Sequence, residues 1–187
     1  MRSFNNDGRR RREAAGRLVP GRDLEISMAH PSDAEELTAI AFAAKRHWGY
    51  PDSWIEFWRP QLTVTAAFIT AHETFIAREG DRILGFAALS REVGMLFLED
   101  LWVLPDAMGR GIGRALFRRA QQRARVLGFE TIEIEADPNA SAFYERLGAT
   151  RVGTTTTTID GRRRELPVFR CETFHEPDET TESGSRL

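Results

Sequence analysis

Residues 96–114, LFLEDLWVLPDAMGRGIGR, decide how this chain folds. The apolar run from Leu96 to Leu104 reads as a strand, and Pro105 ends it. Gly109, Gly111 and Gly113 then strip side chains from a turn that opens a helix reaching Leu127. Ile112, Ala115/Leu116, Arg119/Ala120, Ala124 and Leu127 make its inward face, while Arg114, Arg118, Gln121, Gln122 and Arg125 mostly face water. Gly128 stops the helix, and 129–136 (FETIEIEA) alternates apolar and polar residues as a half-buried strand does. Strand, helix and strand form one βαβ crossover, whose helix N-terminus is aimed at whatever binds there.

Upstream, 24–29 (LEISMA) alternates as a strand, and Pro31-Ser32-Asp33 opens a helix with Ser32 or Asp33 as cap and Glu35 and Glu36 in its first turn. Leu37, Ile40, Ala41 and Ala44 recur at helical spacing; the helix fails at Gly49-Tyr50-Pro51 and a second begins near Asp52-Ser53. Strands at 73–78 and 82–90 are joined into a hairpin through Glu79-Gly80-Asp81. Downstream, Pro138-Asn139 starts a short helix that Gly148 terminates. A hairpin follows, 150–159 (TRVGTTTTTI) and 165–172 (ELPVFRCE), turned at Asp160-Gly161-Arg162; its threonine run is β-branched strand, not low complexity. The order is that of an α/β (α+β) fold with a mostly antiparallel front half.

The chain has 187 residues and a formal net charge of -2, the size and balance of one ordinary domain. No apolar run approaches the ~20 residues that span a bilayer, and the N-terminus has no secretory signal, so the cytoplasm is the expected compartment. A lone Cys171 gives no internal disulfide and no metal-ligand pair, and it reads as a small core residue, not an acyl carrier. Charge gathers at the ends: seven arginines against Asp7 and Glu13 over 1–22, and five acids against Arg186 over 172–187. These read as a disordered Arg-rich leader (1–22) and a disordered acidic tail (173–187) around a domain at 23–172. No aromatic residues interleave with the leader's arginines, which speaks against nucleic acid.

Three segments carry chemistry. The turn at 109–113 (GRGIG) leaves bare backbone N–H groups at a helix N-terminus, an anion cradle suited to a pyrophosphate. It is neither G-x-G-x-x-G nor an NTPase phosphate loop, since no lysine follows the last glycine. In 139–149 (NASAFYERLGA), Tyr144 is one of only two tyrosines, a phenol of pKa ~10 able to protonate a departing thiolate of pKa ~8.5. In 97–102, alternation puts Glu99 on one sheet face and Asp100 on the other, so one carboxylate is expected in an apolar setting that makes it a usable base.

The run LEDLWVLPDAMGRGIGRALF (98–117), followed after one helix and strand by NASAFYERLGA, resembles the GNAT superfamily of acetyl-CoA-dependent N-acetyltransferases, over about residues 23–172. The resemblance implies a mixed, mostly antiparallel sheet of about seven strands, helices on both faces, and a splayed βαβ coenzyme site. It implies acetyl-CoA as co-substrate, without a metal. The backbone of Leu101, Trp102 and Val103 would pair with the pantetheine arm; Gly109, Arg110, Gly111, Ile112, Gly113 and Arg114 would hold the pyrophosphate; Asn139 and Phe143 would touch the coenzyme. Tyr144 would be the general acid, and Glu99 stands where several members, polyamine acetylases among them, keep the general base. Met108 departs from the family, which usually has Gln or Arg there; Arg110 and Arg114 are the candidates to supply the missing charge.

The acceptor implied is a primary amine, on a small molecule or a protein, reached by direct transfer. Residues 47–58 (HWGYPDSWIEFW) would cover its channel, with Trp48, Tyr50 and Trp54 as candidate walls for an ammonium through cation–π attraction; the alternative is that they simply pack the helices. His47 stands between assisting proton transfer and ordinary packing. Membrane and nucleic-acid partners are not expected, and a homodimer stays open. The competing class is a non-catalytic acyl-CoA-binding module on the same fold.

Overall fold

A computed structural model of the chain describes residues 23–173. The elements are β1 (Leu24–Met28), α1 (Ala34–His47), α2 (Asp52–Phe57), α3 (Arg59–Leu62), α4 (Ala66–Ala71), β2 (Glu73–Glu79), β3 (Arg82–Glu92), β4 (Met95–Val103), α5 (Ile112–Val126), β5 (Thr131–Glu135), α6 (Ser141–Arg146), β6 (Thr150–Ile159) and β7 (Arg162–Glu172). The leader over 1–22 and the tail beyond 173 lie outside the described residues.

One seven-stranded sheet runs in the order β1-β2-β3-β4-β5-β7-β6, antiparallel at every pairing except β4 with β5. The two outer hairpins close through two-residue turns, Gly80-Asp81 and Asp160-Gly161, both residues of the latter at positive φ as a right-handed strand twist favours. Helix α5 lies on one face, where Leu116, Phe117, Ala120 and Ala124 meet Phe75, Leu84, Leu89, Leu96, Ile132 and Phe169. Helix α1 lies on the other, where Leu37, Ile40 and Ala41 meet Ile76, Ile83 and Phe86, with Ile55, Leu62 and Ile69 of α2, α3 and α4 filling in. Central strands flanked on both faces are apolar at neighbouring positions, hence Thr74–Ala77 and Ile83–Leu89 buried without a break.

Two local readings are corrected. Neither Ser32 nor Asp33 caps α1 by its side chain: the His30 ring accepts from Ser32 N–H, and the Asp33 carboxylate accepts from His30 N–H, one turn earlier. Gln121 does not face water but is 2% exposed, its amide nitrogen donating to the Glu172 carbonyl (3.0 Å) and reaching Cys171 Sγ (3.4 Å). A polar residue on the inward side of α5 pins the end of β7, a role that hydropathy does not register.

What the sheet does for function lies between β4 and β5. These parallel neighbours share a single pairing, Phe97 with Glu133. Beyond Phe97 the strands part, and the β5-facing edge of β4 is left with unspent backbone donors and acceptors.

Candidate active site

The gap between β4 and β5 continues into a cavity of about 1240 Å³. Its lining includes Leu101, Trp102, Val103, residues 107–114, Asn139, Phe143 and Tyr144, together with Glu99, Asp100, Trp48 and Trp58. At the donor end, Gly109 (φ 77°) and Gly111 (φ 85°) adopt the left-handed conformation that side chains resist. The first helical bond of α5 is Ala115 N–H to Gly111 C=O, and the N–H groups of residues 109–114 have no acceptor among the described residues. Six consecutive orphan donors at a helix N-terminus match the oxygens of a diphosphate. A Cβ at Gly109 would meet no atom within 4 Å, so the space above the turn is open, whereas one at Gly113 would meet Phe143 at 3.2 Å. Phe143 thus closes against the helix start only because residue 113 lacks a side chain.

The charges near the cradle divide. Arg110 is bound to the Glu79 carboxylate across the β2–β3 hairpin, whereas Arg114 has no ion pair among the described residues and is the better supply of positive charge. Met108 packs on the core beside α5 and brings no charge to the turn.

Tyr144 is held by Phe117, Phe143 and Phe169, at ring-centre distances of 6.0, 5.1 and 6.0 Å. The side chain is 6% exposed, and its hydroxyl has no hydrogen-bond partner among the described residues while bordering the cavity. Burial first, then the negative charges of Asp100 and Asp137, push its pKa well above the ordinary phenol value.

The two carboxylates of β4 are not on opposite faces. Ala88 pairs with Asp100 and Leu89 with Leu98, so Glu99 is the extra residue of a β-bulge. Asp100 accepts from Trp102 Nε1 (2.6 Å), on the face of α1. Glu99 accepts from the Ser90 hydroxyl (2.8 Å), and Ser90 alternates with Phe86 and Ala88 onto that same face. A bulge re-aims one side chain in this way, which strict alternation misses. Glu99 is exposed and Asp100 largely enclosed. Desolvation, then the neighbouring Glu99 charge, raises Asp100 to about 6 against the opposing pull of the Trp102 hydrogen bond and His72.

At the acceptor end, Tyr50 stacks on Trp54 (5.9 Å) and both meet Trp58 edge-on (5.0 and 5.7 Å). Trp48 stands apart against His47 (5.4 Å). Of the candidate walls Trp48, Tyr50 and Trp54, only Trp48 borders the cavity, and the cations found over aromatic rings are the protein's own: Lys45 Nζ lies 4.2 Å from the Trp58 ring and 5.0 Å from Tyr50, and the Arg164 guanidinium 4.9 and 5.3 Å from the same rings. Both cations bind Asp137, at 2.6 and 2.9 Å, which also accepts from Tyr50 (2.8 Å). Asn139 donates to Tyr50 Oη (2.9 Å) and so belongs to this cluster as well as to the start of α6. Lys45, Trp58, Asp137 and Arg164 went unassigned in the sequence, whereas Asp100 was one of the two carboxylates open for the enclosed position; the one signal for the rest was that Lys45 is the only lysine in an arginine-rich chain.

Residues 34–149 match the Acetyltransferase (GNAT) family. The chain belongs to that family. It is an acetyl-CoA-dependent acyltransferase. Among relatives, it is 29% identical over 124 residues to the peptidyl-lysine N-acetyltransferase YiaC of Escherichia coli (strain K12), covering 65% of this chain and 82% of that one. A GCN5-related N-acetyltransferase from Rhodopseudomonas palustris superposes with a TM-score of 0.66 at 24% identity, over 84% of this chain and 99% of the other. The PaiA N-acetyltransferase of Thermoplasma acidophilum, solved with coenzyme A, gives 0.64 at 18% identity, over 80% and 99%. At such identities the two structures establish the shared fold. Among the described residues, no cluster of metal-ligating side chains occurs and no helix of this acetyltransferase is long and apolar enough to cross a membrane.

Proposed function

We propose that this acetyltransferase moves an acetyl group from acetyl-CoA directly to a primary amine, working in the cytoplasm, with the β4 carboxylates taking the amine's proton and Tyr144 protonating the leaving sulfur. A primary amine is also what the Escherichia coli relative's name specifies, in a lysine side chain. The observation that carries the reading is that one cavity is bordered by the orphan N–H groups of 109–114, the unpartnered Tyr144 hydroxyl and the Glu99–Asp100 pair.

Acetyl-CoA supplies the activated acyl group. The N–H groups of residues 109–114, with Arg114, hold its diphosphate; the open edge of β4 at Leu101, Trp102 and Val103 takes the amide-bearing arm; Phe143 and Asn139 flank it. An alkylammonium of pKa ~10.4 is neutral in only about one molecule per 10³ at pH 7, so removing its proton is a real part of the barrier. Asp100, near 6, is ionised at neutral pH and basic enough to receive that proton, while Glu99 reinforces it through its negative charge and gives an exposed exit to water. The raised pKa of Tyr144 keeps its O–H intact across the working range, so it donates to the sulfur as the carbon–sulfur bond breaks. The second proton, shed as nitrogen becomes an amide, returns to Tyr144 through solvent.

Coenzyme release measured over a panel of primary amines tests this reading. Tyr144→Phe and Asp100→Asn are expected to lower kcat by roughly 10²-fold or more each. Unchanged turnover in both variants across pH 6–9 removes the acid–base scheme.

A further inference from the structure

Between Trp102 and the β6–β7 hairpin, the wall of the cavity sets two cations around one carboxylate, while Glu99, Asp100 and Glu135 border the same cavity elsewhere. Lys45 and Arg164 both border the cavity, with side chains only 8% and 11% exposed, and they share one counter-ion, Asp137, itself 10% exposed. Asp137 is already bonded by Lys45 Nζ, Arg164 Nη2, Tyr50 Oη and the Asn139 backbone and side-chain nitrogens. Arg164 spends Nη2 alone, on Asp137 and Tyr50; its Nε and Nη1 have no acceptor among the described residues. Lys45 likewise donates to Asp137 alone, its remaining surroundings being the faces of Trp58, Tyr50 and Trp102. Among the described residues the only buried side-chain polar atom without a partner is Gln121 Oε1, so the spare Arg164 donors are not sealed off but open to what enters the cavity.

The same geometry argues against a polycationic acceptor. The aromatic faces that would attract an ammonium already carry Lys45 and Arg164, and a third cation between them would be repelled. Trp102 measures the distance to the chemistry: its indole N–H binds Asp100 at one end, and its ring lies 5.8 Å from Lys45 Nζ. An acceptor can therefore set its amine at the Glu99–Asp100 bulge while its other end, one indole away, reaches the spare donors.

We infer that the preferred acceptor is an amine that also bears a carboxylate, bound by Arg164 and Lys45 over the Trp58 ring. The inference rests on the amine-acetylation reading above and names the class of acceptor within it. Arg164 has Nη2 engaged by Asp137 and Tyr50, so it offers a carboxylate oxygen a single charge-assisted bond from Nη1, which Lys45 supplements as a point charge. Burial pulls the Lys45 pKa down against the raise from Asp137, and an incoming carboxylate would restore the favour of its charged form. Asp137, with its fixed hydrogen bonds, holds both cations in place before the acceptor arrives and so acts as a positioning residue.

The experiment uses glycine, β-alanine, γ-aminobutyrate and ε-aminocaproate, each beside its own carboxamide, so that members of a pair differ in charge and hardly in shape. Calorimetry on the wild-type protein saturated with coenzyme A reads recognition without turnover, and coenzyme release from acetyl-CoA reads kcat and KM. The carboxylate of at least one longer pair is expected to bind about tenfold or more tighter than its carboxamide. Arg164→Gln is expected to erase that ratio, and Arg164→Lys to restore part of it. Equal binding within every pair, preference for the carboxamides, or a ratio unchanged in Arg164→Gln overturns the inference. A carboxylate preference in binding with no acetylation of any pair would leave this site standing and count instead against the amine-acetylation reading; acetylation of both members alike would do the reverse.

Discussion

The two halves of the cavity are made of different material. The donor half, between β4 and the start of α5, is mostly main chain: six N–H groups, an unpaired strand edge and glycines that keep side chains away. The acceptor half is mostly side chain: Lys45 from α1, Trp58 beside α3, Asp137 after β5 and Arg164 from β7. A main-chain site tolerates sequence change as long as its backbone conformation survives, and it serves one invariant ligand. A side-chain site is rebuilt by single substitutions, which suits a scaffold whose acceptors differ from member to member.

The sharpest way to break this contrast is at the donor turn. Gly111→Val forces a β-branched residue to φ near 85° and puts bulk into the cradle, so affinity for coenzyme A is expected to fall at least about 100-fold by calorimetry. Lys45→Met and Arg164→Gln, by contrast, are expected to leave that affinity within about twofold. Losses of coenzyme affinity in the acceptor variants as large as in Gly111→Val would dissolve the division.

Next in size is the β4 bulge. In the proposed scheme Asp100 acts in its ionised form, so kcat/KM should fall as pH drops through about 6. Asp100→Asn should abolish this acid limb and cost roughly 10² in rate, whereas Glu99→Gln should move the limb to lower pH, since the Glu99 charge helps to hold Asp100 up. If Glu99→Gln instead removes the limb and Asp100→Asn leaves it in place, the exposed carboxylate is the base.

The same shift has a consequence for stability. Because the folded-state pKa of Asp100 is raised from 3.8 to about 6, ionising it opposes folding: the penalty grows as pH rises from about 4 to 6 and is complete above that. Asp100→Asn, whose amide oxygen can still accept from Trp102, should therefore be more stable than the wild type at pH 8 by at most roughly 2–3 kcal/mol, and no more stable at pH 3.5. Urea melts at the two pH values check this.

The smallest effect separates the cradle's arginines. Arg110 is engaged with Glu79, and the Arg110→Ala variant is expected to lose less than about threefold in coenzyme affinity; Arg114→Ala should lose more. The reverse order would mean that coenzyme recruits Arg110 away from its partner.

The same division explains what could be read from the residues. The β4–α5 turn was legible because its information is local: a proline, three alternate glycines and an amphipathic helix, all within 105–127. The seven strands were legible for the same reason, with ends displaced by a few residues, as at 165 against the observed Arg162. The bulge at Glu99 was hidden because it is set by how β3 and β4 register, and period-two alternation assumes no extra residue. Gln121 was hidden because its partner is a backbone carbonyl at Glu172, 51 positions away. Arg164 sits in the run Arg162-Arg163-Arg164, and only the hairpin's twist decides which of the three turns inward to Asp137 while Arg163 faces Glu165 at the surface. The aromatic stretch at 47–58 announced itself, but Lys45 and Arg164, drawn from either side of it, determine what it can bind.

The claim on which the rest stands is that bare amides of residues 109–114 grip the diphosphate and so aim the thioester toward Tyr144. Amide NMR of the ¹⁵N-labelled protein titrated with coenzyme A tests it most directly. The largest shift changes should fall on residues 109–114, with Arg163 and Arg164 little moved; perturbations centred on the β6–β7 hairpin, or none at millimolar coenzyme A, would contradict it.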